Sequence, residues 1–242
     1  MVARAEDRAA CISTTLGTFE TAGVLDARTF KLRDGREVLL AGIEVPSGRA
    51  SAKASLERLL AAGPLVLKQA EPASDRYGRL LVQAYVSRDG AERWIQEDLL
   101  VAGHAQVGIR PGSAACAKAL RAAEGPARRG RLGLWADSAY AIKASDDLAG
   151  LLARRGQFTV AEGKILSVRE SGGTIYMNLG RVWSRNLTVT ILSRSRPAFE
   201  GAGMDPKKLE GARIRVRGWV EERGGPRIEA VRPEQIEIAA QD

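Results

Sequence analysis

The chain has little of what most catalytic and metal-binding sites are made from. Its 242 residues include one histidine, His104, and two cysteines, Cys11 and Cys116. No Cys/His spacing typical of zinc ligands occurs, and a lone histidine is more often structural than a ligand. There is also no phosphate-binding loop and no G-x-S-x-G sequence, which argues against P-loop nucleotide hydrolysis and serine-hydrolase chemistry.

Long apolar runs are missing as well. Residues 1–16 are small and polar, and contain neither a signal sequence nor a membrane span. No amphipathic segment reads as a membrane helix, so we expect no membrane insertion. Either the protein is cytoplasmic or a leader has already been removed, and we favour the exported, periplasmic alternative.

The two cysteines allow two interpretations. They are unrelated thiols, or Cys11 and Cys116 form one disulfide that ties the N-terminal segment to the last helix of the first domain. We favour the disulfide, because only two cysteines occur and both fall in or beside that domain. A disulfide would indicate an oxidising compartment.

The charge balance is basic. Thirty-seven Lys and Arg against 29 Asp and Glu give a formal net charge of +8. Such a balance favours anionic partners such as nucleic acid. The charge is spread rather than blocked, so a solvated basic surface without a ligand is an equal alternative.

The length favours two modest domains. We expect a flexible N-terminal tail over 1–16, a first domain over 17–140, a linker helix within 141–156 and a second domain over 157–242. Ser145 is the expected N-cap of the linker helix at about 145–155. In the first domain, apolar spacing and stop signals predict helices over 51–62, 94–101 and 113–121, the last interrupted near Gly125-Pro126.

Residues 23–47, GVLDARTFKLRDGREVLLAGIEVPS, organise the first domain. Asp34-Gly35 lies between two β-rich runs, 29–32 and 37–43, which predicts a hairpin. Pro46 then ends the strand, because proline cannot donate to a ladder.

GVLDARTFKLRDGREVLLAGIEVP resembles the opening of the thermonuclease (micrococcal-nuclease-like) family. Three further segments carry the same resemblance: SDRYGR at 74–79, the stretch 93–105, and RLGLW at 131–135. Together they cover roughly residues 17–140. The resemblance implies an OB-type barrel with helices packed around it, so the expected fold class is mainly β with packed helices (α+β).

The resemblance also implies where a nuclease site would lie. The family's enzymes use two acidic calcium ligands, a carboxylate that activates water, and two arginines that bind phosphate. The corresponding positions here are Arg28 and Glu44 for the ligands, Val45 for a backbone-carbonyl ligand, Ser47 for the base, and Leu39 and Arg79 for the arginines. Asp26 remains as a further acid in the same pocket.

These replacements predict a relict pocket. Arg28 puts a cation where calcium needs an anion, and Ser47 is too weak a base to activate water. Leu39 offers no charge to phosphate, and each lost electrostatic contact costs about 10²–10³ in rate. We therefore expect no catalytic residue, no metal and no cofactor, with Ca²⁺ bound only if an altered site of Asp26, Glu44 and Asp75 works.

The second half is β-rich. Alternating or β-branched runs predict strands over 157–169, 174–179, 187–192, 213–220, 227–231 and 235–238. A short helical turn over 206–209 separates the third strand from the fourth. The first five of these strands, three before the helical turn and two after it, have the order of an OB-type barrel, so we expect a second, smaller OB-like domain.

OB barrels bind single strands through a basic groove with stacking aromatics. The nucleic-acid-binding residues that we predict are Arg76, Tyr77, Arg79, Arg181, Trp183 and Arg185, with Tyr176 as a further candidate. Trp183, flanked by two arginines near a loop, is the better stacking residue, whereas Trp219 is assigned to the core. Arg213, Arg215 and Arg217 alternate with apolar residues and predict a cationic face that is usually just solvated.

Three functions remain open from sequence. The first, which we favour, is a non-catalytic thermonuclease-fold protein that binds single-stranded nucleic acid, another anionic partner or a protein. The second is a metal-dependent phosphodiesterase with an altered calcium site. The third is a structural module that makes only protein contacts, and the oligomeric state stays open in all three.

Overall fold

The computed structural model describes Cys11 and residues 14–88 and 91–239. The chain divides between Asp137 and Ser138 into two compact units, each a mixture of strands and helices. No helix in the described ranges is long and apolar enough to cross a membrane.

The first unit is built on one sheet. Its strands are β1 Thr15–Phe19, β2 Thr21–Val24, β3 Thr29–Leu32, β4 Glu37–Leu40, β6 Leu65–Ser74, β7 Leu80–Arg88 and β8 Ala91–Trp94. They pair in the order β1-β6-β7-β4-β3-β2, with β8 on β7. Because β1 and β2 are successive parts of one segment, a single edge segment pairs at both ends of this path. The pairing of β4 with β7 is parallel and the others on the path are antiparallel. This is the OB-type strand order that the sequence predicts.

Helices cover one side of this sheet. They are α1 Ala50–Leu60, α2 Ile95–Val101 and α3 Ala114–Arg129, followed by 3₁₀ turns at Gly133–Ala136 and, in the second unit, Ser138–Tyr140. A separate two-stranded pair, β5 Ile43–Glu44 with β9 Gln106–Val107, was not predicted. It fixes the segment that carries Glu44 against the chain that leaves α2.

The core lies between these helices and the sheet. Phe30, Leu56, Leu67 and Trp94 are among its fully buried side chains. Gln96 is the buried polar centre, because its amide donates to the backbone carbonyls of Ala41 and Val82 and accepts from the amide of Ala84.

Helix α3 corrects one prediction. It runs without interruption through Gly125-Pro126 instead of ending near residue 121. Proline removes one helical hydrogen bond, but Ala119, Ala123 and Ala127 are buried on one face and pack the whole length onto the core. Burial therefore outweighs the local cost of the proline.

Gly133 of the RLGLW segment lies where the backbone of this segment closely approaches the backbone at Gly103. An added Cβ at Gly133 would lie 2.3 Å from the carbonyl oxygen of Gly103, and one at Gly103 would lie 2.3 Å from that of Leu132. Both glycines have positive φ, where other residues are strained. The crossing holds Leu134 and Trp135 buried.

Cys11 and Cys116 form a disulfide, which confirms the favoured interpretation. Both residues are buried, and they belong to the core cluster of the first unit. The bridge joins the N-terminal segment to the first turn of α3.

The strands of the second unit pair in an order that matches that of the first unit. Its strands are β10 Lys143–Ala144, β11 Phe158–Lys164, β12 Ser167–Ser171, β13 Thr174–Asn178, β14 Thr188–Ile191, β15 Arg213–Glu222, β16 Pro226–Glu229 and β17 Ile236–Ile238. The order is β10-β11-β15-β16-β14-β13-β12, with β17 on β15. The strand predicted over 157–169 is thus split at Ile165 and Leu166, and its two parts pair at different places on the path. The parallel pairing of β14 with β16 matches that of β4 with β7.

Helices of the second unit are short. They are α4 Leu148–Leu152, α5 Arg196–Gly201 and 3₁₀ turns at Ser193–Ser195, Pro206–Leu209 and Pro233–Gln235. The predicted helix over 145–155 is wrong in extent and in its cap. Asp147 is the N-cap and accepts from the amide of Gly150 at 2.9 Å, whereas Ser145 is buried and donates its hydroxyl to the carbonyl of Leu179 at 3.0 Å.

Candidate functional site

The pocket expected around residues 26–47 contains an ion pair. Arg28 Nη1 lies 2.8 Å from Glu44 Oε1 and donates to the carbonyl of Ile43 at 3.1 Å. The β5–β9 pairing holds Glu44, and the turn between β2 and β3 holds Arg28. Nη1 of Arg28 therefore contacts the Glu44 oxygen that a metal at this site would need as a ligand.

Burial dominates the electrostatics of Glu44. Desolvation raises the pKa of its carboxyl above the ordinary value, and the charge and hydrogen bond of Arg28 only partly offset this. Burial therefore outweighs Arg28, the charged partner that favours the ionised carboxylate.

Asp26 and Ser47 face a shallow depression of about 470 Å³. Asp26 Oδ1 accepts from the backbone amide of Arg28 at 2.8 Å, so the carboxylate stabilises the turn. The charged residues that line the depression are Asp26, Arg28, Arg49 and Lys53. Three of the four are basic, which is the opposite of a calcium site.

Leu39 lies in an apolar cluster. It is almost fully buried against Ala41, Ala70 and Leu81, and it is the register partner of Leu81 in the parallel pairing of β4 with β7. The position that the family resemblance assigns to a phosphate-binding arginine is therefore filled by hydrocarbon that neighbouring residues cover.

Arg79 is held by Asp75. Its Nε and Nη2 donate to Asp75 Oδ2 at 2.8 and 2.6 Å, and Asp75 Oδ1 accepts from the amides of Tyr77 and Arg79. Desolvation acts to raise the pKa of Asp75, but these hydrogen bonds outweigh it and the pKa lies below the ordinary value. Asp75 is thus the scaffold of the β6–β7 turn.

Tyr77 projects from that turn. Its side chain is exposed, with the guanidinium carbons of Arg76 and Arg79 at 4.8 and 5.4 Å from its ring centroid. The turn therefore presents one aromatic ring between two cations, the arrangement that the sequence predicts for base stacking.

Calcium does not fit the pocket as it stands. Among the described residues, no three His, Cys, Asp or Glu side chains come close enough together to hold a metal ion. The structure does not bring Asp75 to Asp26 and Glu44, and Arg28 takes up the Glu44 carboxylate.

The second unit has a larger cavity, of about 660 Å³. Its lining residues come from β12, β13, β14, β16 and the two loops beside them. They are Leu166, Ser167, Arg169, Ser171, Tyr176, Asn178, Gly180, Arg181, Trp183, Thr188, Arg223, Gly225, Pro226 and Arg227. Four of these are arginines and none is acidic.

Paired residues of strands β12, β13 and β14 form the floor of this cavity. Tyr176 pairs with Arg169, and Asn178 pairs with Ser167 and with Thr188. Asn178 donates its amide to the hydroxyl of Ser167 and accepts from that of Thr188, at 3.1 and 3.2 Å. The floor is therefore a fixed polar surface with one aromatic ring.

Trp183 forms one wall. Its indole is 59% exposed, and an added Cβ at Gly224 would lie 2.4 Å from its Cζ3. The ring thus rests directly on the glycine turn between β15 and β16. Only a residue without a side chain allows that contact, so the turn sets the position of the ring.

The arginines of the cavity differ in their pairing. Arg227 lies 2.7 Å from Glu221, and Arg223 lies 3.5 Å from the same carboxylate. Arg169 and Arg181 make no ion pair with any residue that the structure describes. Two cations are therefore free for an anionic ligand.

Two sequence assignments need correction. Trp219, assigned to the core, is 41% exposed and packs edge-to-face on Phe158 at 5.3 Å, because its strand position faces outward. The cationic face of β15 is paired: Arg215 contacts Glu162 and Glu237, and Arg217 is buried. Arg185 is exposed but does not line the cavity.

Sequence reasoning missed Arg169, Arg223 and Arg227. The signal was available in part, since Arg227 lies on a strand between two apolar residues, Pro226 and Ile228. What sequence could not supply is the parallel pairing of β14 with β16, which brings Arg227 opposite Thr188.

A comparison with family models matches residues 37–137 to the family described as staphylococcal nuclease homologue. The match includes Leu39, Glu44, Ser47 and Arg79, whereas Asp26 and Arg28 precede it. A search of curated proteins finds no match for the chain. The OB-type strand order, the ordered sequence motifs and this match agree, and residues 37–137 of the N-terminal unit are therefore similar to the staphylococcal nuclease homologue family.

Proposed function

We propose that this chain is a nuclease-fold protein that has lost catalysis and binds single-stranded nucleic acid, chiefly through the cavity of its second unit. The observation that carries the proposal is one groove whose lining residues include four arginines and an exposed tryptophan and no acid.

Three observations support the loss of catalysis. Arg28 is paired with Glu44 at 2.8 Å, Leu39 is buried in an apolar cluster, and Ser47 offers no base. Each removes a different requirement: the metal, one phosphate-binding cation, and the activation of water. No single substitution would repair all three.

The binding role rests on the groove. Stacking on an aromatic side chain is worth about 1–3 kcal/mol per base and tolerates any sequence. Trp183 offers one open face, Tyr176 lies on the floor, and the free guanidinium groups of Arg169 and Arg181 suit phosphate oxygens. This arrangement favours a flexible single strand, whose bases are accessible.

The β6–β7 turn of the first unit supplies a second contact of the same kind. Tyr77 with Arg76 and Arg79 gives an exposed ring and two cations. We propose that this turn also binds a base of single-stranded nucleic acid.

The test is fluorescence anisotropy with a labelled single-stranded oligonucleotide of about 20 nucleotides. Two to four phosphate contacts predict a slope of log K against log salt between about −1.4 and −2.8. Trp183→Ala should weaken binding about 5- to 150-fold. Trp219→Ala is the matched control, because it removes an exposed tryptophan of the same unit that does not line the cavity, and it should change Kd less than about twofold.

A flat salt slope, no binding at low salt, or equal losses in the two tryptophan variants would refute the proposal. Binding of a protein but not of the oligonucleotide would favour the interaction-module alternative. Calcium-dependent digestion of the oligonucleotide that Arg79→Ala abolishes would favour the altered nuclease.

We also propose an oxidising compartment for the protein. The Cys11–Cys116 disulfide supports it, because such bonds persist outside the reducing cytosol. Mass measurement after alkylation, with and without reduction, tests this on protein taken from its native source. Free thiols there would contradict it.

A further inference from the structure

Residues 181–185 form the tip of the loop between β13 and β14, and this tip carries an exposed apolar pair. Val182 is 48% exposed and Trp183 is 59% exposed. Among the described residues, these are the only two neighbours in sequence that are both large, apolar and exposed. Trp183 lines the cavity of the second unit, whereas Val182 does not. The tip therefore offers apolar surface beyond what the groove uses.

Hydrogen bonds and close packing fix the backbone of the tip. The carbonyl of Val182 accepts from the backbone amides of Arg185 and Asn186, each at 2.9 Å, and the amide of Val182 donates to Asn186 Oδ1 at 3.3 Å. The tip also lies against the turn between β15 and β16, because a Cβ added at Gly225 would lie 2.3 Å from the carbonyl oxygen of Trp183. A surface that is already ordered loses little conformational entropy when it binds a partner.

Basic residues flank the apolar pair. Arg181 and Arg185 lie on either side of it, both are exposed, and neither makes an ion pair with a residue that the structure describes. Arg223, on the neighbouring turn, is 3.5 Å from Glu221, at the long end for an ion pair. The sequence from 179 to 187 contains no acidic residue. The charge of the tip is therefore complementary to an anionic surface.

From these observations we infer that the tip docks the protein on the surface of a bilayer that contains anionic phospholipid. Tryptophan prefers the headgroup region of a bilayer, and Val182 enters the same region beside it. The guanidinium groups of Arg181 and Arg185 bind lipid phosphates. The docking is peripheral, so it needs no segment that crosses the bilayer.

The apolar pair is the reason to assign this surface to lipid. A strand of nucleic acid stacks its bases on aromatic rings, and an aliphatic side chain such as that of Val182 offers no such platform. A lipid surface takes up aliphatic and aromatic side chains alike. The inference goes beyond the proposed strand binding, because it assigns a ligand to a residue outside the cavity.

The test is co-sedimentation of the full chain with vesicles of phosphatidylcholine that contain about one third phosphatidylglycerol, against vesicles of phosphatidylcholine alone. We expect binding to the anionic vesicles that weakens with added salt, and binding at least about tenfold weaker to the neutral ones. Arg185→Gln should weaken vesicle binding about fivefold, the change expected for one basic residue at an anionic surface. Lys164→Gln is the matched control, an equal loss of charge at an exposed position of β11, and should stay within about twofold.

A second pair of variants tests the apolar contact. Val182→Ser should weaken vesicle binding about fourfold, as expected for one methylene group withdrawn from lipid, and should leave the Kd for the oligonucleotide within about twofold. Ile238→Ser is the matched control, because it shortens another exposed apolar side chain of the same unit that does not belong to the tip. It should change neither measurement.

Three results would overturn the inference: no binding to the anionic vesicles, equal binding to both kinds of vesicle, or losses in the two control variants as large as those in the tip variants. Equal losses of oligonucleotide and vesicle binding in Val182→Ser would assign the tip to the strand-binding surface and also overturn it. Vesicle binding without any oligonucleotide binding would refute the proposed function alone.

Discussion

Removing the Cys11–Cys116 disulfide should destabilise the first unit strongly. The bridge spans 105 residues of sequence. In the chain-entropy treatment, closing a loop of that length in the unfolded state is worth about 4.7 kcal/mol at 25 °C. Domains of this size have total stabilities of about 5–15 kcal/mol, so the loss would be a large share.

The suitable perturbation is the double variant Cys11→Ala with Cys116→Ala. Alanine avoids placing a hydroxyl in the apolar cluster where both cysteines are buried. The assay is urea unfolding followed by tryptophan fluorescence. Trp94 and Trp135 are buried in the first unit and report its unfolding, whereas the exposed Trp183 and Trp219 belong to the second.

We expect the first-unit midpoint to fall by an amount equivalent to about 4–5 kcal/mol, with the second unit unchanged. Reduction of the wild-type protein should have nearly the same effect, and reduction of the double variant none. A loss below about 1 kcal/mol would refute the reasoning, because a loop this long cannot then be constraining the unfolded chain.

Three further predictions concern the first unit. Burial raises the pKa of Glu44, so the contribution of this carboxyl to stability is present at low pH and is lost as pH rises through its pKa in the folded state. The pKa of Asp75 is lowered, so the contribution of that carboxyl is lost as pH falls through its pKa in the folded state. Unfolding curves measured across the acid range test both statements. The free energy of unfolding of wild type relative to Glu44→Gln should fall with rising pH, whereas that of wild type relative to Asp75→Asn should rise. Parallel slopes for the two variants would contradict this. Gln96→Leu should cost about 1–3 kcal/mol in urea unfolding, because it removes the oxygen that accepts from the buried amide of Ala84, and a near-neutral result would argue against this bond. Arg28→Asp with Ser47→Glu should leave DNA digestion at background, since one phosphate-binding arginine is still missing; strong cleavage would show that this cation is dispensable.

The fold was predictable where local chemistry and tertiary packing agree. The Asp34-Gly35 hairpin, the helix near 50–60 and the alternating strands of the second half follow from turn residues and apolar spacing. Helix α3 was predicted too short, because Gly125-Pro126 is a local stop signal that burial of three alanines overrides.

The sites divide in the same way. The family resemblance supplied the candidate pocket residues, and side-chain identity alone predicted that Arg28 and Ser47 do not act as a metal ligand and a base. The burial of Leu39 could be seen only in the structure, because the β4–β7 register puts Leu81 beside it. The second-unit cavity likewise depends on residues far apart in sequence, such as Arg169 and Arg227.

The central claim is that the nuclease pocket no longer holds its metal, and calorimetric titration of the full chain with calcium chloride alone tests it most directly. The Arg28–Glu44 pair predicts no heat of binding up to millimolar calcium. Stoichiometric binding that Glu44→Ala abolishes would contradict the account.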